Sequence, residues 1–223
     1  MESNLHLIFD FDGTLVDSFQ AVIEKFNLFA DIYHYRKISS SELSFLKNLT
    51  SKEFINYLGI PRDKIPDVIL QIRELLREEI PTLPFFLNVP ETLAKLHKLK
   101  IGLGILTSNS TENVIEWLKY NNLYHLFDFI HVESSYLDKG IALNQILEVY
   151  KIDKTQAFYA GDETRDIDAA KACKISSIAV TWGFNSAQIL LKQNPDYIMN
   201  KPEDLFGLFK VLVNSSLQNT ALS

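Results

Sequence analysis

The chain opens on an apolar run of strand length, residues 5 to 9, which breaks abruptly into Asp10, Phe11, Asp12, Gly13 and Thr14. Alternation along a strand would point Asp10 and Asp12 the same way if the strand persisted. Gly13 marks its release, because glycine tolerates a positive φ. From residue 16 the period changes. Phe19, Val22, Ile23, Phe26, Phe29 and Tyr33 recur at helical steps, and Leu43, Leu46 and Leu49 continue the pattern. Thr50 with Glu53 reads as a capping box opening another helix, with Gly59 placed to end it before Pro61. Val68, Ile69, Ile72, Leu75, Leu76 and Ile80 form one more stripe, closed by Pro81 and Pro84. Residues 16–83 are therefore expected to be an all-helical insert.

Beyond residue 84 short apolar strands alternate with helical stripes. Strands are expected at 101–106, 129–132, 158–160, 178–181 and 197–199. Helical stripes between them include Val114, Ile115, Trp117 and Leu118, then Ile141, Ile146, Leu147 and Val149. Such alternation predicts an α/β fold, a parallel sheet covered on both faces. Residues 216–223 are expected to fray.

Composition narrows the function. The 223 residues are 47% hydrophobic and carry a net charge of −6, which disfavours a nucleic-acid partner, since phosphate backbones select basic faces. A single cysteine, Cys173, rules out an internal disulfide and reads as packing on an Ala-rich helical face. No basic region precedes an apolar leader, and no apolar stretch approaches the ~18 residues of a membrane span. A soluble cytoplasmic protein with no membrane partner is expected.

Ligands of open parallel sheets sit beyond the carboxyl ends of the strands. The first four tips give Asp10 and Asp12; Thr107, Ser108, Asn109 and Ser110; Glu133 and Ser134; then Gly161, Asp162, Glu163, Thr164, Arg165 and Asp166. Asp162 and Asp166, four apart, would share a face at a helix start. They suit plain helix capping, or, with Asp10 and Asp12, a cluster that would repel itself without a cation. Oxygen-only ligands favour a hard ion such as Mg²⁺. Thr107 to Ser110 could cradle a phosphate at a helix start, or Ser110 and Thr111 could simply cap it. Lys139, following Asp138, stands at the wrong end of a helix dipole, which a bound anion or a solvated side chain would equally explain. Arg165 and Asp168 are expected to face solvent or pair locally. No paired-histidine metal motif, GxSxG, Walker-type loop or GxGxxG is present.

These residues resemble the motifs of the haloacid dehalogenase superfamily of aspartate-nucleophile hydrolases, in its phosphoglycolate-phosphatase-like branch. The first motif is the run from Asp10 to Ser18, the second Thr107, the third Lys139, and the fourth Gly161 and Asp162 with Asp166. The resemblance implies a Rossmann-like, doubly wound parallel sheet as core domain (1–15 and 84–223) with an inserted helical cap domain (16–83). It implies a Mg²⁺-dependent phosphatase of small phosphate monoesters, phosphoglycolate-like or sugar phosphates, acting through an aspartyl-phosphate on Asp10. Asp12 would protonate the leaving oxygen and then activate water. Thr107 and Lys139 would hold phosphate oxygens, within a phosphate-binding set of Phe11, Thr107, Ser108, Asn109 and Lys139. The motif-two hydroxyl is Thr107 or Ser108. Asp10, the Asp12 carbonyl and Asp162 would bind the metal, with Asp166 direct or through water. A phosphomutase on the same core and a non-catalytic phosphate-ligand-binding protein are the alternatives. In the helical insert Tyr33, His34, Arg36 and Lys37 are the most polar cluster, suited to substrate selection or to a solvated helix end.

Overall fold

The computed structural model describes residues 4–133 and 139–220; Ser134 and Asp138 lie outside them. Six strands, β1 (His6–Phe9), β2 (Gly102–Thr107), β3 (Phe129–Val132), β4 (Ala157–Gly161), β5 (Ser176–Val180) and β6 (Tyr197–Met199), form one sheet. Its order is β3-β2-β1-β4-β5-β6, and every pairing is parallel. The first strand is thus central, and the order reverses between β1 and β4, the place where parallel sheets leave a crevice.

Alternation along β1 feeds two cores. Leu7 and Phe9 join the larger apolar cluster, with Val89, Leu93 and Leu96 of α5 (Val89–Lys98), Val114, Trp117 and Leu118 of α6 (Thr111–Tyr120), and Leu205 and Phe209 of the last helix (Glu203–Thr220). Ile8 turns to the other face, under Ala142, Leu143, Ile146 and Leu147 of α7 (Lys139–Val149) and Ala170 and Cys173 of α8 (Thr164–Cys173). Helices therefore cover both faces, as the apolar strands require. A short helix (Ala187–Lys192) lies between β5 and β6.

Between β1 and β2 come α1 (Phe19–Tyr33), α2 (Leu43–Leu46), α3 (Ser51–Leu58) and α4 (Ile65–Glu79). At the start of α3 the Thr50 hydroxyl accepts from the Glu53 N–H at 3.2 Å, and the Glu53 carboxylate accepts from the Thr50 N–H at 2.8 Å. Gly59 closes this helix at φ 71°. Both orphan ends are satisfied as the capping pattern requires. No helix among the described residues is long and apolar enough to cross a membrane.

Some expectations change. Ile141 and Val149 are exposed, because the face of α7 that meets the sheet is set by residues 142, 143, 146 and 147, and its flanking positions swing to solvent. Leu75 is likewise turned outward on α4. β5 starts two residues early, at Ser176; the Ser177 N–H and hydroxyl both donate to Asp196, at 2.8 and 2.7 Å, which lets polar residues begin a buried strand. The last helix runs on past residue 216 to Thr220, since extending a formed helix is far easier than starting one; residues 221–223 lie outside the described range.

Trp117 joins core to loop. Its indole N–H donates to the Leu83 carbonyl at 2.9 Å, and its ring meets Phe11 edge-on at 5.3 Å. It is fully buried. Trp117→Ala should destabilise the fold by about 3–5 kcal/mol in urea unfolding. Leu87→Ala, at a position 81% exposed, should stay within about 0.5 kcal/mol.

Candidate active site

β1 ends at Phe9, and the Asp10 N–H extends the ladder by one bond, to the Ala160 carbonyl at 2.8 Å. The chain then folds over itself, with the Leu15 and Val16 N–H groups donating to the Phe11 carbonyl. Gly13 sits at φ 77°, and a Cβ there would stand 2.2 Å from Asp162 Oδ2, so the turn needs glycine twice over. Because the strand stops, Asp10 and Asp12 part company. Asp10 Oδ1 accepts from the Phe11 N–H at 2.8 Å, and Oδ2 lies 2.6 Å from Lys139 Nζ. Asp12 Oδ2 instead accepts from Asn109 Nδ2 at 2.8 Å, and its Oδ1 has no hydrogen-bond partner among the described residues.

Lys139, the first residue of α7, is 3% exposed, which removes the solvated alternative. Its ammonium lies 2.6 Å from both Asp10 Oδ2 and Asp166 Oδ1. Asp166 belongs to the first turn of α8 and also accepts from the Glu163 N–H at 2.9 Å. Capping and site chemistry are thus one arrangement at this residue. Asp162 precedes α8, whose first residue is Thr164, so the two aspartates do not share a helical face as expected: β4 runs to Gly161 and Asp162 belongs to the turn. They converge nonetheless. Carboxylate oxygens of Asp10, Asp162 and Asp166 lie within 4.8 Å of one another, all buried. Asp162 is oriented by the Thr14 hydroxyl and the Phe184 N–H, each at 2.7 Å.

The electrostatics follow from burial. Burial pushes the Asp10 carboxyl up from 3.8 to about 7, against the pull of Lys139 and with the repulsion of Asp166. Asp162 goes well above its ordinary range through burial, then Asp10 and Glu163. Asp12 also rises by burial, opposed by the neighbouring Ser18 hydroxyl and the Asn109 amide. Burial pulls Lys139 down, but Asp10 and Asp166 outweigh it and its pKa rises. Asp10 and Asp166 share one buried ammonium and Asp162 has none, a crowding of carboxyl groups that a divalent cation would relieve. An all-oxygen set of this kind fits a hard ion, Mg²⁺ above all.

Thr107 ends β2, is 1% exposed, and accepts from the Asn109 N–H at 3.0 Å. Asn109 is committed to Asp12, to the Ser110 N–H and to Asn113. Ser110 caps α6 through its hydroxyl. Ser108 and Asn109 open on a cavity of about 90 Å³, whose other walls are Asp12, Glu163, Arg165 and Phe184 together with Val22, Phe26, Ile69, Ile72, Arg73 and Leu76 of α1 and α4. Arg165 pairs with Glu163, and Asp168 is exposed. The polar cluster of the insert is absent from this wall. Arg36 pairs with Glu42, Lys37 with Asp31, and Gln71 donates to the Tyr33 hydroxyl.

Sequence reasoning missed the loop after β5. There a Cβ on Gly183 would stand 2.3 Å from both Asp162 Oδ2 and the Gly13 carbonyl, and Phe184 donates to Asp162. Reading one strand tip further would have reached it, because Trp182, Gly183 and Phe184 lie just past β5.

An aspartate-tipped central strand, a buried lysine and a second acidic turn, set on a parallel sheet, define the hydrolase class to which the comparisons also point. Residues 7–180 match the profile of the haloacid dehalogenase-like hydrolases, and the chain belongs to that family. A phosphoglycolate phosphatase of Synechococcus elongatus is 34% identical over 199 residues, which are 89% of this chain and 94% of the relative. Pyrophosphatase PpaX of Bacillus velezensis is 27% identical over 210 residues, covering 91% and 94%. Among solved structures, a haloacid dehalogenase-like family hydrolase of Streptococcus pneumoniae superposes with a TM-score of 0.76 at 26% identity, over 92% of this chain and 99% of its own. The chain is an enzyme of the phosphatase kind, similar to proteins named phosphoglycolate phosphatase.

The raised Asp10 pKa has a direct consequence for stability. Between 3.8 and about 7 the folded carboxyl holds a proton that the unfolded one has released, so its contribution is favourable at the acid end and lost as pH rises through that window. Without divalent cations, the native chain should therefore lose stability relative to Asp10→Asn across this range in thermal unfolding. Added Mg²⁺ should raise the midpoint of the native chain at neutral pH more than that of Asp10→Asn.

Proposed function

We propose that this chain is a Mg²⁺-dependent phosphatase that hydrolyses a small phosphate monoester through a phosphorylated Asp10. One observation carries the reading: two carboxylates one residue apart are held by different partners, Asp10 by Lys139 and Asp12 by Asn109. A nucleophile and an acid must differ in protonation, and separate environments allow that. A carboxylate oxygen of Asp10 forms a bond to phosphorus as the ester P–O bond breaks. The departing oxygen takes the proton of Asp12, whose burial favours the protonated form. Water then attacks the aspartyl-phosphate, gives its proton to the Asp12 carboxylate, and frees Asp10 and inorganic phosphate. Splitting one displacement into two in this way lowers each barrier.

Lys139 holds Asp10 and supplies positive charge to the phosphoryl oxygens, with the Thr107 and Ser108 hydroxyls and the Phe11 backbone completing the cradle. Asp10, the Asp12 carbonyl and Asp162 would hold the Mg²⁺, with Asp166 beside them, direct or through water. When bound, the ion adds positive charge where the transition state gathers negative charge. Residues 16–83 act as a cap: α1 and α4 wall the cavity that Asp12 lines, and closure of that wall on a bound ester would exclude bulk water.

The test is phosphate release from a panel of small monoesters, including phosphoglycolate and sugar phosphates, with and without Mg²⁺. Turnover should require the metal, and Asp10→Asn should reduce it by more than about 10⁴-fold, the scale on which loss of a nucleophile acts. A folded protein inert on every ester would overturn the reading.

A further inference from the structure

The Asn109 amide can sit only one way. Its Oδ1 accepts from the Ser110 N–H at 2.8 Å and from Asn113 Nδ2 at 2.8 Å, which turns its Nδ2 toward Asp12 Oδ2, also at 2.8 Å. A reversed amide would set an NH₂ group against two donors and an oxygen against a carboxylate. Asn113 lies one turn further along α6 and is fully buried. Its own amide is oriented in turn, for the opposite orientation would bring two carbonyl oxygens together. Its second proton faces the Arg73 carbonyl of α4 at 3.5 Å, and its Oδ1 has no hydrogen-bond partner among the described residues. A buried acceptor that no protein group satisfies is a cost to the fold that an apolar residue of similar size would avoid. Packing alone does not account for an asparagine there.

We propose that Asn113 is a positioning residue for the acid step, fixing the Asn109 amide and through it the plane of the Asp12 carboxyl. Asn109 occupies Oδ2 and leaves Oδ1 as the oxygen that carries the proton. As that proton passes to the departing ester oxygen, the charge left on Asp12 is met by the Asn109 N–H that Asn113 has aimed. The inference rests on the reading of Asp12 as the general acid.

Leaving-group dependence tests both and tells them apart. An alkyl oxygen needs a proton to depart, whereas 4-nitrophenolate departs as the anion, so loss of acid catalysis slows the alkyl ester selectively. The readout is the rate of the first turnover, followed as released alcohol, with phosphoglycolate and with 4-nitrophenyl phosphate at saturating Mg²⁺. Asp12→Asn is the benchmark and should slow the alkyl ester far more than the aryl ester. Asn113→Leu should slow phosphoglycolate by about 10- to 100-fold, part of what an acid contributes, and the aryl ester by less than about 3-fold, with an unchanged or raised thermal midpoint. If leucine does not pack, Asn113→Ala goes through the same pair of esters. Equal losses on both esters for the Asn113 variants, or none on either, overturn the positioning role while leaving the acid intact if Asp12→Asn shows the split. Absence of the split in Asp12→Asn removes the acid assignment, and the relay with it.

Discussion

The buried ammonium of Lys139, clasped between Asp10 and Asp166, is the interaction the rest of the site depends on. A lysine this deeply enclosed stays charged only with carboxylates against it, and each carboxylate is tolerable only because the lysine is there. Three chain segments far apart in sequence supply the three groups: the end of β1, the start of α7 and the first turn of α8. The balance is deliberately incomplete in its charge. Asp162 adds a further buried carboxyl with no ammonium of its own in the cluster. A phosphate ester would bring further negative charge to the same edge of the sheet, where Lys139 is the ammonium that faces it.

Close backbone approach is the second constraint. Gly13 and Gly183 face Asp162 from two sides, each so near that a methyl group would overlap the carboxylate. The Phe184 N–H and the Thr14 hydroxyl then take one oxygen each. The turn after β1 and the turn after β5 are thereby locked around a residue belonging to a third turn, after β4. Loops ordinarily vary in shape; these are fixed by the space a single side chain occupies.

Much of this was legible in the sequence, for reasons that differ by residue. Asp10, Asp162 and Asp166 could be found because parallel sheets collect chemistry at one edge, though Asp162 and Asp166 do not share the helical face expected of them. Lys139 stayed open between a bound anion and a solvated side chain until the family resemblance gave it a role. The wall of the cavity could not. Arg73 and Leu76 reach it because α4 packs on α1 and faces Asp12, Ser108 and Asn109 across the cavity, and nothing in the local pattern of α4 reports what it faces. Arg36 and Lys37 suited a solvated helix end as well as substrate selection, and their charges are taken up by Glu42 and Asp31 nearby. Asn113 escaped notice for a similar reason: in sequence it is one polar residue on an amphipathic helix, and only its packing against Asn109 gives it meaning. Ile141 shows the opposite failure, an apolar residue that suggested a core face and lies outside it.

The central place of β1 also governs how the molecule comes to exist. It precedes the other five strands along the chain, yet its two sheet neighbours are residues 102–107 and 157–161. Until those emerge, Leu7, Ile8 and Phe9 have no ladder to join, and the apolar strand must wait with both edges open, the state in which chains aggregate. The helices of residues 19–79, built from local contacts, can form during that interval. Asp10 is thus made well before Lys139, the group that holds it.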